Sequence, residues 1–92
     1  MKIDIKYFAQ IKREAGKQSA ELELKPGTTL QQCIKEVSGI NNVGFKNIIF
    51  DEFGSYRNAI ILVVNSVQVR YDENPEMNDG DELMLMSPIA GG

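Results

Sequence analysis

The chain has 92 residues, room for one small domain, and its 42% hydrophobic and 25% charged residues are the proportions of a folded globular protein. Thirteen acids against ten bases leave a formal charge of −3, opposite in sign to the field that binding nucleic acid or an anionic membrane requires. A single cysteine excludes an internal disulfide, and the lack of histidine removes the commonest metal ligand and general base, which excludes zinc and serine-histidine-aspartate chemistry.

Ile3, Ile5 and Tyr7 alternate with Lys2, Asp4 and Lys6, which predicts a first strand with one buried face. The same alternation is unlike a signal peptide, and no apolar run reaches the roughly 18 residues of a membrane helix, so the expected location is the cytoplasm. Phe8, Ile11 and Ala15 fall at helical spacing before Gly16 and predict a short helical turn. Leu22 and Leu24 alternate with Glu21, Glu23 and Lys25 ahead of the Pro26-Gly27 turn, giving a second strand over 19–25 that pairs with the first.

Thr28 is the expected cap of the main helix, with Gln31 completing a capping box and the helix beginning at Thr29. Leu30, Cys33, Ile34 and Val37 then form one apolar stripe, which makes Cys33 a small core residue, and the helix ends near Ser38-Gly39. Residues 39–59 predict one further short helix carrying Phe45, Ile48, Ile49 and Phe53, because a structureless loop of that length is unusual in a compact domain. The unbroken run Ile60 to Val64 predicts a central strand buried on both faces. Asn65-Ser66 suits a tight turn into a return strand over 67–71, Asp79-Gly80-Asp81 is the next turn, and Glu82 to Met86 is the last strand.

Two strands, a principal helix and further strands define an α+β domain with one sheet and one helix packed on one face. Alternation in the last strand sends Leu83 and Leu85 to one face and Met84 and Met86 to the other. Only one face meets the helix, so the methionine face is expected to bind a partner, the alternative being that residues 39–59 cover it. Asp72, Glu73, Glu76, Asp79, Asp81 and Glu82 hold six of the thirteen acids without an intervening base, and they either line solvated loops or steer a basic partner.

The tail, Ser87-Pro88-Ile89-Ala90-Gly91-Gly92, is expected to leave the fold: Pro88 discourages further strand pairing, and two glycines make a thin terminus suited to a narrow cleft. Fully extended, it spans roughly 20 Å, enough to carry its carboxylate into another protein's active site. That carboxylate is ionised at neutral pH and resists nucleophilic attack, so any acyl chemistry needs a separate ATP-using enzyme.

Tyr7-Phe8-Ala9-Gln10-Ile11-Lys12, Val64-Asn65, Asn78-Asp79-Gly80-Asp81-Glu82 and the tail resemble, in order and position, the small subunits of molybdopterin synthase. The resemblance is good at both ends and poor over 39–59. It implies a ubiquitin-like β-grasp fold with a single mixed sheet, and a sulfur carrier that is non-catalytic alone. By resemblance, an E1-like adenylating enzyme uses ATP to form an acyl-adenylate at Gly92, and a sulfur donor converts it to a thiocarboxylate. Pro88, Ile89, Ala90 and Gly91 would then insert into the large synthase subunit, where two sulfurs build the dithiolene from a cyclic pyranopterin monophosphate. Phe8 and Met86 match positions of apolar partner contact. Met86 stands where an aromatic is more usual, Ser87 where proline is common, which implies a looser tail, and Gln68 where an apolar residue is common. The chain itself is expected to bind no cofactor or metal. The same tail would serve a ubiquitin-like modifier joined to lysines through Gly92, or a sulfur carrier for thiamine or tRNA thiolation, while an interaction module with an accidental ending would not use it.

Overall fold

A computed structural model of the protein describes residues 1–88. Its elements run β1 (Lys2–Phe8), α1 (Ala9–Ala15), β2 (Ser19–Glu23), α2 (Leu30–Gly39), α3 (Val43–Ile49), β3 (Ile61–Val64), β4 (Val67–Val69), a 3-10 turn (Tyr71–Glu73) and β5 (Glu82–Met86). The sheet order is β2-β1-β5-β3-β4, with β1 and β5 parallel and the other neighbours antiparallel. This mixed sheet, with its first and last strands side by side in the middle and a principal helix across one face, is the β-grasp architecture.

Alternation along the strands builds the core. Ile3, Ile5 and Tyr7 of β1, Leu83 and Leu85 of β5 and Leu62 of β3 point to one face and are buried there. Leu30, Cys33, Ile34 and Val37 of α2 close over them, joined by Ile11 of α1 and by Phe45 and Ile49 of α3. Phe45 meets Tyr7 edge-on with ring centroids 5.5 Å apart, and the Tyr7 hydroxyl accepts a hydrogen bond from Asn41 at 3.2 Å, so the one buried phenol keeps a polar partner.

The main helix begins one residue later than its sequence suggests. Thr29 is the cap: its hydroxyl accepts from the Gln32 amide, and the Gln32 side chain accepts from the Thr29 amide. Thr28 instead donates its hydroxyl to the Lys25 carbonyl at 2.7 Å and closes the Pro26-Gly27 turn, in which Gly27 takes a φ of 89°. Gln31 reaches across to the 3-10 segment, its amide accepted by Asn74 and its side chain donating to the Tyr71 carbonyl.

The helix expected within 39–59 is α3, capped by Asn42, whose Oδ1 accepts from the Phe45 amide at 2.8 Å while its Nδ2 donates to the Glu14 carbonyl at the end of α1. Phe53 is not on it. It sits in the following turn and is 84% exposed, because Asp51 Oδ1 accepts from both the Phe53 and Ser55 amides and folds that turn outward.

Two further expectations change. β3 is not the central strand: β5 takes that place, and β3 buries Leu62 while Ile61 and Val63 remain half-exposed on the other face. Its unbroken apolar run reflects a sheet face left uncovered by helices, not burial on both sides. The return strand stops at Val69, since the backbone at Tyr71 already turns into the 3-10 segment, where Tyr71 stacks on Tyr56 at 4.1 Å.

The cap assignment is open to measurement. Thr29→Ala is expected to cost about 1 kcal/mol of stability in urea unfolding, and Thr28→Ala distinctly less, because the backbone bond from Thr28 to Lys25 survives it.

Candidate functional site

Among the described residues nothing packs over the sheet face opposite the helices, and strand register places its side chains in rows. Phe8, Met86 and Ile61 lie side by side across β1, β5 and β3, and the neighbouring row runs Lys6, Met84, Val63 and Gln68. Further along, Glu21, Asp4 and Glu82 make an acidic row. The face is thus apolar at the end where β5 leads into the tail and acidic at the other. Phe8, Met84 and Met86, named from sequence as partner residues, come together here and remain half-exposed. Ile61 and Val63 join them; the signal for both was their parity with buried Leu62. Gln68 sits exposed at the edge of the patch.

What fixes this face is a polar clamp at the start of β5. Asn65 and Ser66 take φ of 50° and 70°, the paired left-handed conformation of a two-residue hairpin turn between β3 and β4. Asn65 then donates to Asp81 Oδ1 at 2.7 Å and accepts from the Glu82 amide at 2.9 Å. Asp81 Oδ2 accepts from the Asn78 amide at 2.7 Å, and Asp79 accepts from the Lys2 amide at 2.7 Å. The Asn65 and Asn78–Glu82 residues that carried the family resemblance are therefore the parts that hold β5 in register between β1 and β3.

The acidic stretch is correspondingly committed to local bonds. Asp79 and Asp81 serve the clamp, and Asp72 and Glu73 face Arg70 at 3.1 and 4.0 Å. Glu76 and Glu82 have no ion-pair partner among the described residues. Steering a basic partner is left to few of the six.

At the other end of β5, Ser87 belongs to the body of the fold and not to a loose tail. It is 2% exposed, and its Oγ accepts from the Ile11 amide at 3.4 Å. The N-cap of α1, Phe8, makes no side-chain cap, so Ser87, the residue after β5, supplies the acceptor that the helix's own cap lacks. Ala9 turns the chain from strand to helix at a φ of 57°, a left-handed conformation that carries a steric cost for any residue with a Cβ. Pro88 is exposed. Ile89, Ala90, Gly91 and Gly92, assigned to insertion and chemistry, lie outside the described residues. Among the described residues, no group of three or more histidine, cysteine or acidic side chains is placed to hold a metal, and no helix is long and apolar enough to cross a membrane.

The fold class is that of ubiquitin-like β-grasp proteins. Residues 5–92 match the ThiS family, and the chain belongs to it. Among its relatives, the molybdopterin synthase sulfur carrier subunit of Dictyostelium discoideum is 25% identical over 85 residues, covering 92% of this chain and 90% of that one. The putative molybdopterin converting factor subunit 1 of Pyrococcus furiosus is 30% identical, with a TM-score of 0.76 over 97% of this chain and 99% of that one. SAMP1 of Haloferax volcanii superposes with a TM-score of 0.90 over the whole of both chains at 21% identity.

Cys33 lies in the core, away from the open face, and burial, then the nearby charges of Glu36 and Asp81, push its thiol from 9.0 up to about 12. Burial raises the Tyr7, Tyr56 and Tyr71 phenols as well. Each of these groups holds its proton more tightly in the folded than in the unfolded chain. For Cys33, the stability this gives is fully present below pH 9 and is lost as pH rises toward about 12. Urea unfolding as a function of pH should show stability falling above pH 9, with a shallower fall in Cys33→Ala.

Proposed function

We propose that this protein is the sulfur carrier and small subunit of a molybdopterin synthase, acting in the cytoplasm and non-catalytic alone. The observation that carries the reading is the family match, which extends from residue 5 to Gly92 and so includes the tail. A match of 25% identity spanning 92% of this chain to a protein named as a molybdopterin synthase sulfur carrier subunit supports the pathway.

The chemistry follows from the terminal carboxyl. As an ionised carboxylate it is a poor acyl donor, with a reference pKa of about 3.5. An E1-like partner would join it to the α-phosphate of ATP, releasing pyrophosphate and leaving an acyl-adenylate at Gly92. A donor persulfide would then displace AMP, breaking the acyl C–O bond and forming C–S, and a second thiol of the donor protein would attack the donor sulfur of the resulting acyl disulfide, leaving a thiocarboxylate on Gly92 and a disulfide on the donor. This chain need hold no cofactor, because ATP is used in the partner's site. In the large subunit the tethered thiocarboxylate would act as a soft nucleophile at high effective concentration toward the cyclic pyranopterin precursor. Pro88, Ile89, Ala90 and Gly91 would thread the channel.

Docking would use the apolar end of the open face. Phe8, Met86 and Ile61 present one continuous row beside the point where the chain passes Ser87, with Met84 and Val63 behind it. A partner seated there meets the tail at its root. The acidic row of Glu21, Asp4 and Glu82 would set the orientation by favouring a basic rim on the partner.

Two measurements test this. Intact-mass analysis of protein from a host with the pathway should show a species heavier by the exchange of one oxygen for sulfur, absent after deletion of Gly92. Its absence with a matching activating enzyme present counts against this reading, and Gly92 found joined to target lysines in its place argues for a protein modifier. Met86→Glu and Phe8→Ala should each weaken association with the large subunit by about tenfold or more in titration calorimetry, with the thermal transition nearly unchanged because both side chains are already half-exposed.

A further inference from the structure

On the helical side of the molecule, away from the open sheet face, the end of α2, the end of α3 and the turn that follows enclose a cavity of about 330 Å³. Its walls are Lys35, Ser38, Gly39, Lys46, Phe50 and Gly54. The volume is at the lower end of the range for ligand pockets, about 300 to 1,000 Å³, and suits one large apolar side chain with its backbone.

Three features of the wall define what fits. Its only charged groups are the ammonium groups of Lys35 and Lys46, and among the described residues neither takes part in an ion pair, in a chain whose net charge is negative. Ser38 is 7% exposed and its buried Oγ has no hydrogen-bond partner among the described residues, so a hydroxyl with unused donor and acceptor capacity lies just behind the wall. Phe50 supplies the apolar floor. The apolar surface also continues past the rim. Ile40 follows Gly39, Phe53 precedes Gly54, and Val43 lies one turn before Lys46; all are at least half-exposed. A small molecule confined to the cavity would leave those side chains in water, whereas an extended segment of chain crossing it would cover them.

We propose that this cavity docks a peptide segment of a partner protein in which a leucine-sized or aromatic side chain is flanked by carboxylates. The apolar side chain rests on Phe50, the carboxylates meet Lys35 and Lys46, and a peptide carbonyl accepts from the Ser38 hydroxyl after rotation about its Cα–Cβ bond. Phe50, Ile49 and Phe45 belong to the helical layer, which packs on Leu83 and Leu85, whereas Met84 and Met86 point to the other side of the sheet. A segment held here and a partner on the open face therefore bind without competing, and this site stands independently of the chemistry at Gly92.

Gly39 gives a clean way to close the cavity. A Cβ built on it meets nothing within 4 Å, and its φ is not in the left-handed region, so the backbone accepts a side chain there and Gly39→Leu places an apolar side chain at the wall of the cavity. The full-length, isotope-labelled protein is titrated with a panel of short peptides in which leucine, phenylalanine, methionine or tryptophan sits between glutamates, and with the same panel carrying lysines in place of the glutamates. Saturable amide shifts are expected at Ser38, Gly39, Lys46, Phe50 and Gly54 with at least one acidic peptide, and not at Phe8, Met84 or Met86. Lys46→Gln should weaken that binding by up to about fivefold, as for loss of one exposed ion pair. Gly39→Leu should abolish it while keeping the thermal transition. No saturable shift at the cavity with any acidic peptide, equal binding by the lysine panel, or unchanged binding in Gly39→Leu overturns the proposal.

Discussion

Parallel pairing of β1 with β5 sets Phe8 beside Met86 and Ile5 beside Leu83, and the register of that one pair decides which side chains reach the core. Strand alternation has a period of two, so a slip of one residue in β5 would bury Met84 and Met86 and expose Leu83 and Leu85. Parallel neighbours cannot be set by a short hairpin, because the whole chain lies between them. Register has to come from elsewhere, and here it comes from Asn65 and the turn at 78–82. Asn65 ties the end of the β3-β4 hairpin to Asp81 and Glu82, while Asp79 and Gly80 bond to both backbone groups of Lys2. The bonds grip β5 from its antiparallel and its parallel neighbour at once, and the largely buried Asp81 carboxylate makes them expensive to break.

The same constraint divides the molecule into two working sides. The apolar side chains that β1, β3 and β5 send one way pack under α1, α2 and α3, and those they send the other way are left only partly covered among the described residues. The uncovered row of Phe8, Met86 and Ile61 is apolar and only partly buried, so part of its surface stays open to water. Its position beside the tail root gives it a use. Methionine in two of the central places supplies an unbranched, polarizable surface that adapts to an opposing one.

Much of this was legible in the sequence, and the boundary between what was and what was not is physical. Alternation in 2–8 and 82–86 and the stripe of Leu30, Cys33, Ile34 and Val37 are local patterns whose periods name their elements, and the parity of Met84 and Met86 against Leu83 and Leu85 located the candidate face. The Thr28 or Thr29 cap was ambiguous because two adjacent threonines each precede a glutamine by three residues, and only the contact of Gln31 with Asn74 and Tyr71 selects between them. β3 was misplaced for a related reason: an apolar run has the same appearance whether a helix or a partner covers its second face. Residues 51–60 offered little pattern because the turn there is shaped by Asp51 bonds to the backbone rather than by burial.

Ser87 shows how a local departure can be absorbed by distant structure. Where the resembling family commonly has proline, serine would be expected to loosen the root of the tail, since it does not fix φ. Instead its hydroxyl meets the Ile11 amide, one of the donors that the first turn of α1 leaves without an intrahelical partner and that Phe8 cannot cap. The bond is long, but both groups are shielded from water, and an amide left unpaired in that place would cost about 1 to 3 kcal/mol. Rigidity that proline would provide through its own ring is supplied here through a contact across 76 residues of sequence. The described chain therefore leaves the body of the fold at Pro88 and not at Ser87. The place where it leaves is set by the same β1-β5 pairing that arranges Phe8 and Met86 beside it.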